Sequence, residues 1–295
     1  MVLGWVFATI AVVVCLVILG LLGYAILKRR APQASESLGR DRGGLRAVAI
    51  GTAISTLILF GMAAYSLIVL NQNARPDSPP ALVVRVIAYD WWWKVEYLDA
   101  YGDVLATAAN EIHIPVGKPV MIRLDSADVI HAFWVPRLAG KTQAIPGQTN
   151  EQWLQADAPG VYRGQCTQYC GVQHARMAFE VIAQQQVDFD AFMQAEAKPA
   201  HPGADLASAG GRLFMAHCAS CHTLRGTPAT GQHAPDLTHI ASRRSLAAGQ
   251  LENTRENLRR WIAEPQAIKP DSRMPNPGLT SHELDEVTEF LVQMR

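Results

Sequence analysis

Hydrophobic positions fall along this chain in three rhythms, and each rhythm predicts a different kind of structure. Residues 2–27 carry no charged side chain, and neither do residues 47–70. Each run exceeds the roughly 20 helical residues that cross about 30 Å of hydrocarbon, so both predict membrane-spanning helices within a segment 1–70. The loop between them holds Lys28, Arg29, Arg30, Arg40, Arg42 and Arg46 against only Glu36 and Asp41. Such a basic excess predicts a cytoplasmic loop, with both ends of the chain on the outer side. A cleaved signal peptide would carry its basic residues before the apolar stretch, whereas here they follow it. After the polar stretch 71–80 (NQNARPDSPP) the rhythm shortens to that of strands.

Short β-branched or aromatic runs at 82–89, 111–116, 119–124, 129–135 and 177–182 are separated by turn dipeptides such as Gly117-Lys118, Pro146-Gly147 and Pro159-Gly160. They predict an all-β sandwich or barrel over 81–183. Residues 184–204 predict a short helix at 189–196 and then a flexible connector through Pro199, Pro202 and Gly203. Beyond it the period turns helical. Thr280 and Glu283 form a capping-box pair ahead of Leu284, Val287, Phe290, Leu291 and Met294. Leu258, Trp261 and Ile262 mark a second helical face, with Asn253 and Glu256 as its cap. Residues 205–295 therefore predict a small all-α domain.

Composition sharpens this outline. The chain has 295 residues, 49% hydrophobic and 18% charged, with 26 basic and 26 acidic side chains. A net charge of zero gives no field to attract phosphates, which excludes nucleic-acid binding by bulk charge. The segment 71–185 counts 9 basic and 11 acidic residues, and 205–295 counts 10 of each, so neither attracts a partner by net charge. Five cysteines are too few for a disulfide scaffold.

Cys15 lies in the first apolar run, where a thiol serves as a small apolar side chain. Cys218-Ala-Ser-Cys221-His222 is the attachment sequence of a c-type haem: two thiols form thioethers and the histidine ligates iron. A redox dithiol and half a zinc site are the alternatives. Leu213, Phe214 and Trp261 are candidates for the porphyrin pocket. For the sixth ligand, Met215 precedes the motif on its own helix, Met294 lies in the terminal apolar face, and Met193 lies outside the domain. Met274, in a proline-bounded loop, is the candidate thioether, with His217, His233, His239 and His282 as alternatives.

The second pair lies in Cys166-Thr-Gln-Tyr-Cys170-Gly-Val-Gln-His174-Ala-Arg-Met177. Sulfur with imidazole favours copper or zinc over magnesium or calcium, and a methionine favours copper. His131, upstream at a strand end, is positioned to join. Two thiols, two imidazoles and a thioether suit a dinuclear centre in which both sulfurs bridge, and a Cys166–Cys170 disulfide is the alternative.

With these motifs in the order apolar helix pair, β domain and haem domain, the chain resembles subunit II of the haem-copper cytochrome oxidases, in the form with a fused C-terminal cytochrome c domain. The resemblance implies a two-helix transmembrane hairpin, an all-β cupredoxin-like Greek-key barrel and an all-α cytochrome c domain. It implies a dinuclear CuA centre with Cys166 and Cys170 bridging, His131 and Met177 on one copper, and His174 with the carbonyl of Gln168 on the other. Cys218 and Cys221 would hold haem c, with His222 and Met274 axial. Trp91, first of Trp91-Trp92-Trp93, would be where electrons pass toward copper.

The implied partners are oxidase subunit I, with haem and CuB, subunit III, and cytochrome c as donor. The implied setting is the bacterial cytoplasmic membrane, with the large domains periplasmic and dioxygen reduced to water on subunit I. Gln168 and Gln143 stand where the family carries acidic residues, so the magnesium site that the family places at the subunit I boundary is weakened here. No acidic residue occurs in Gly43-Gly-Leu-Arg-Ala-Val-Ala-Ile50, where the family has one. A membrane-tethered haem and copper carrier serving another periplasmic reductase is the alternative function.

Overall fold

Charge-free sequence becomes uninterrupted helix in the N-terminal part of the computed structural model, which describes residues 2–28, 42–74, 76, 78–200 and 205–295. The chain divides into two units, Met1–Arg75 and Pro76–Arg295. In the first, α1 (Val2–Leu27) has the predicted bounds, while α2 (Arg42–Asn73) extends past 47–70 at both ends. Polar residues end an apolar run without ending a helix, since they break no backbone hydrogen bond. Leu3–Leu27 and Gly43–Asn71 are each long and apolar enough to cross a membrane. Side chains such as Trp5, Leu22, Leu57 and Phe60 are exposed along both helices, so this surface needs a cover from outside the chain. Most of the predicted basic loop, including Arg29, Arg30 and Arg40, lies outside the described residues.

The second unit begins with ten strands: β1 (Leu82–Tyr89), β2 (Trp92–Leu98), β3 (Val104–Ala109), β4 (Glu111–Pro115), β5 (Val120–Ser126), β6 (His131–Trp134), β7 (Lys141–Ala144), β8 (Asn150–Leu154), β9 (Gly160–Cys166) and β10 (Ala178–Gln184). They form two five-stranded sheets, ordered β3-β2-β1-β5-β8 and β4-β10-β9-β6-β7. The β1/β5 and β10/β4 pairs are parallel and the other ladders antiparallel, giving a cupredoxin-like sandwich. Period-two alternation sets which face is buried: Val84, Val86 and Ala88 of β1 point into the core while Arg85 points out.

Five of these strands were not among the predicted runs. β2 was legible only as an aromatic cluster because Lys94 and Glu96 interrupt it, and these two pair at 2.7 Å. β9 looks like a turn because of its glycines, yet Gly164 is a packing requirement. A Cβ there would lie 2.2 Å from the Phe179 ring, which crosses that position from the neighbouring β10.

Helix α3 (Gln186–Glu196) follows, beginning three residues before the predicted 189. Phe192 stacks on His113 of β4 at 3.7 Å. Residues 201–204 of the predicted connector lie outside the described residues. Next come α4 (Ala209–His217), the short pair β11 (Ser245–Leu246) and β12 (Leu251–Glu252), α5 (Arg255–Ala263), α6 (Pro265–Ile268) and α7 (Ser281–Leu291). The Thr280–Glu283 capping box of α7 is formed in both directions. The cap of α5 differs from expectation, because Thr254 accepts the Asn257 N–H at 3.2 Å. Asn253 instead donates its amide to the carbonyls of Ile240 and Arg243, at 2.7 and 2.8 Å.

These helices enclose a second core, centred on Phe214, Ile262, Val287 and Phe290, separate from that of the sandwich. Along one edge the two cores are joined. The buried Glu111 carboxylate accepts the backbone N–H groups of Arg244 at 2.7 Å and Ser245 at 3.0 Å. Arg244 also pairs with Glu180 at 3.1 Å, and the Ala178 N–H donates to the Ala248 carbonyl at 3.2 Å.

Candidate metal centre and cofactor pocket

The copper-type donors converge because three loops meet at one end of the sandwich. His131 opens β6, Cys166 closes β9, and the segment 167–177 folds over them through a single 3-10 turn, His174–Arg176. Cys166 Sγ lies 3.8 Å from Cys170 Sγ, 3.9 Å from His131 Nδ1 and 3.3 Å from the Gln168 carbonyl. Cys170 Sγ lies 3.6 Å from His174 Nδ1 and 3.9 Å from Met177 Sδ. All six predicted groups are therefore within one donor cluster. The sulfurs are too far apart for a disulfide, whose S–S bond is about 2.05 Å.

His131, Cys166, Cys170 and Met177 are buried, whereas His174 is half-buried and Gln168 is exposed. The His131 ring is held from behind, its Nε2 on Asp128 Oδ1 at 2.8 Å, which turns Nδ1 toward the sulfurs. The hydrogen bond from Cys170 lowers the Cys166 thiol, with burial opposing it and the bond to His131 adding to it. That same contact, with burial, pushes Cys170 upward. Burial opposes protonation of His131, but its bonds to Asp128 and Cys166 outweigh it and raise the ring to about 9. Thiol sulfurs, imidazoles and a thioether packed together are donors that suit a soft metal ion.

Trp91 is fastened to this cluster: its Nε1 donates to the Cys170 carbonyl at 2.8 Å. Its indole lies across Gly171, where a Cβ would come within 2.9 Å of Cζ2 and φ is +116°. Gly171→Ala is therefore expected to cost about 1–3 kcal/mol of unfolding free energy, measurable by denaturant titration of the chain in detergent. Trp93 is fully buried and meets Phe133 and Phe179 edge-on, and Trp92 stacks on Tyr89 at 4.7 Å. Trp93 is thus a core residue, while Trp92 is half-buried.

The second site is a cavity of about 480 Å³, within the usual range for a bound cofactor. Cys218, Cys221, His222, Met274 and Trp261 line it, and Tyr89, Trp91 and Trp92 close it from the sandwich side. His222 Nδ1 donates to the Pro235 carbonyl at 2.7 Å, leaving Nε2 free to ligate. Burial lowers the pKa of His222, which keeps the ring neutral. Burial also raises the Cys218 thiol to about 11, opposite to what a redox dithiol needs. Gly231 packs on the motif so closely that a Cβ would lie 2.5 Å from the Cys221 backbone.

The Met274 loop is shaped by Gln266, which the sequence did not flag. Its amide donates to the carbonyls of Ser272 and Met274, both at 2.8 Å, and its oxygen accepts the Asp271 N–H at 2.8 Å. His217 and His233 also line the cavity. His239 is turned away onto the Lys198 carbonyl at 3.1 Å, and His282 is exposed beside Glu286. Two of the expected pocket residues lie elsewhere. Phe214 is fully buried against Phe290 at 5.6 Å, and Leu213 lines a separate surface hollow with His282. The reason is α4's contact with α7: Gly210 lies so near the Glu286 carbonyl that this face of α4 is committed to the core.

Three further residues tie the copper-type loop to the cavity loop. Lys269, buried at 3% exposure, donates to the carbonyls of Trp91 at 2.6 Å, Arg176 at 3.0 Å and Ala247 at 3.3 Å. Arg176 donates to the Ile268 carbonyl at 2.8 Å and Gln173 to the Pro270 carbonyl at 2.6 Å. Burial pulls Lys269 down to about 7, against the pull of Cys170. No local pattern could have revealed these contacts, because the partners are remote in sequence.

Both parts of the second unit are similar to known proteins. Residues 101–187 match the family described as cytochrome c oxidase subunit II, periplasmic domain, and residues 207–295 match the cytochrome c family. A cytochrome c oxidase subunit 2 from Alkalihalophilus pseudofirmus is 32% identical over 275 residues, covering 90% of this chain and 78% of the relative. Another, from a Bacillus species, is 31% identical over 262 residues, covering 84% of this chain and 70% of the relative. Among solved structures, the periplasmic domain of subunit II of cytochrome oxidase from Bradyrhizobium japonicum is 28% identical. It covers 40% of this chain and 95% of that chain, with a TM-score of 0.38.

Proposed function

The chain belongs to the cytochrome c oxidase subunit II family, and from that premise we propose that it is the electron inlet of a respiratory oxidase, using a covalent haem c and a dinuclear CuA centre. Membership makes it part of an oxidoreductase with an electron-transfer role, and the cytochrome c domain implies haem as the family implies copper. The observation that carries the finer reading is the donor cluster around Cys170, where a second sulfur, an imidazole and a thioether stand within 3.9 Å of one atom.

In this reading Cys166, Cys170, His131, His174, Met177 and the Gln168 carbonyl would together hold the copper pair. Cys218 and Cys221 would hold the haem covalently, and His222 and Met274 would supply its iron ligands. When bound, the two groups supply one-electron acceptance and release without proton transfer. The protein's own part is to keep the ligands fixed through that change: Asp128 holds His131, Pro235 holds His222 and Gln266 holds the Met274 loop.

Trp91, hydrogen-bonded to Cys170 and lining the cavity, is the residue through which the two sites communicate. Gln168 is exposed and neutral, which makes its side chain a weak ligand for magnesium. Helices α1 and α2 anchor the chain beside subunit I, with the large domains on the periplasmic side. Subunits I and III and a soluble cytochrome c are the partners this role requires.

Purification in mild detergent tests the assignment. The expected result is co-purification with a many-helix subunit carrying further haem and copper. Isolation of the chain without such a subunit would favour a tethered carrier for another reductase.

A further inference from the structure

The segment 268–273 reaches from the cavity to the copper-type cluster, and the contact is built around a buried ammonium. The Ile268 and Pro270 carbonyls, flanking Lys269, are held by Arg176 and Gln173 of the copper loop. Lys269 itself donates to the carbonyls of Trp91 and Arg176, so four hydrogen bonds cross between the two cores within three consecutive residues. Arg273, next to Met274, adds an ion pair to Asp90 at 3.5 Å. Domains on one chain are expected to move against each other unless something fixes them. An ammonium is suited to fixing them, since its three donors can satisfy three carbonyls at once.

We propose that Lys269 is a positioning residue that locks the haem-binding half onto the copper-binding half at Trp91, so that electrons cross inside the chain through one fixed contact rather than after a docking search. The inference rests on the haem c and CuA reading above. The transfer it serves moves one electron from the reduced haem to the oxidised copper pair, with no bond made or broken and no proton displaced. Lys269 also lines the cavity, but all three of its hydrogen bonds go to backbone carbonyls, so it acts on the site through the chain it holds. It acts through the Trp91 carbonyl, holding the indole between the cavity and Cys170. Its third bond, to Ala247, ties the clamp to the β11–β12 turn, beside the edge where Glu111 joins the two halves.

The test compares the wild-type oxidase complex with Lys269→Met, which keeps the bulk and removes the donors, and with Glu111→Gln, which loosens the other edge without touching Trp91. Lys269→Gln, retaining a neutral donor, serves as a second variant should Lys269→Met not assemble. Haem and copper spectra are recorded first, so that absence of either centre from the wild type overturns the underlying reading and not the clamp alone.

With both centres present, Lys269→Met is expected to raise amide hydrogen exchange in peptides covering 173–178 and 245–248 by about tenfold. It is expected to slow haem-to-copper transfer after rapid mixing with reduced soluble cytochrome c by about tenfold or more. The second-order reduction of the haem should stay within about twofold, since Lys269 is buried and its replacement alters no exposed side chain. Lys269→Gln is expected to fall between the two. Unchanged exchange and transfer in Lys269→Met would overturn the proposal, and so would an equal loss of transfer in Glu111→Gln.

Discussion

Cys170→Ser is expected to give a chain that keeps its haem but holds no dinuclear copper. Cys170 Sγ is the hub of the cluster, within 3.9 Å of Cys166 Sγ, His174 Nδ1 and Met177 Sδ. A serine hydroxyl stays protonated at neutral pH and is a hard donor, so it cannot replace a bridging thiolate for a soft metal. Copper content should fall from two per chain to one or none, and the signal of an electron shared between two coppers should vanish. Reduction of the haem by a soluble cytochrome should persist, while oxygen consumption by the complex falls to background. The check is metal analysis with electron paramagnetic resonance on the purified variant, and retention of the full two-copper signal would contradict the assignment.

The converse variant, Cys218→Ser with Cys221→Ser, is expected to lose covalent haem and keep the copper centre. The two sites rest on separate hydrophobic cores, and the six copper-type donors all lie in the sandwich part, between His131 and Met177. Denaturing gels stained for haem should show none on this chain, while the copper signal of the wild type remains. Turnover with a soluble cytochrome should collapse, because the segment 268–273 lies over Trp91 and leaves the cavity as the route inward. Substantial turnover in this variant would mean that an external donor reaches copper directly.

What the sequence disclosed and what it hid divide along physical lines. The twelve residues from Cys166 to Met177 carry most of the copper chemistry, and five residues carry the haem motif, so both were legible as local spacing. The two long N-terminal helices were legible because an apolar composition runs unbroken over more than twenty residues in each. Strands β2 and β9 were not, since ion-paired Lys94 and Glu96 and the glycine beneath Phe179 obscure the usual alternation.

Least legible were the contacts that join the two sites. Lys269 reads as an ordinary surface lysine in its sequence context, and only the fold brings it to a carbonyl 178 residues away. Leu213 and Phe214 were misread as pocket residues for a related reason. A helix face is apolar whether it meets a cofactor or another helix, and only the glycine contact with α7 decides between them.

The central claim, that one chain holds a covalent haem and a dinuclear copper centre, is tested most directly by counting both on the same purified protein. Metal analysis, haem spectroscopy and electron paramagnetic resonance on the detergent-purified chain should give two coppers per haem c, with one unpaired electron shared between the coppers. Haem without copper, or a single isolated copper, would contradict it.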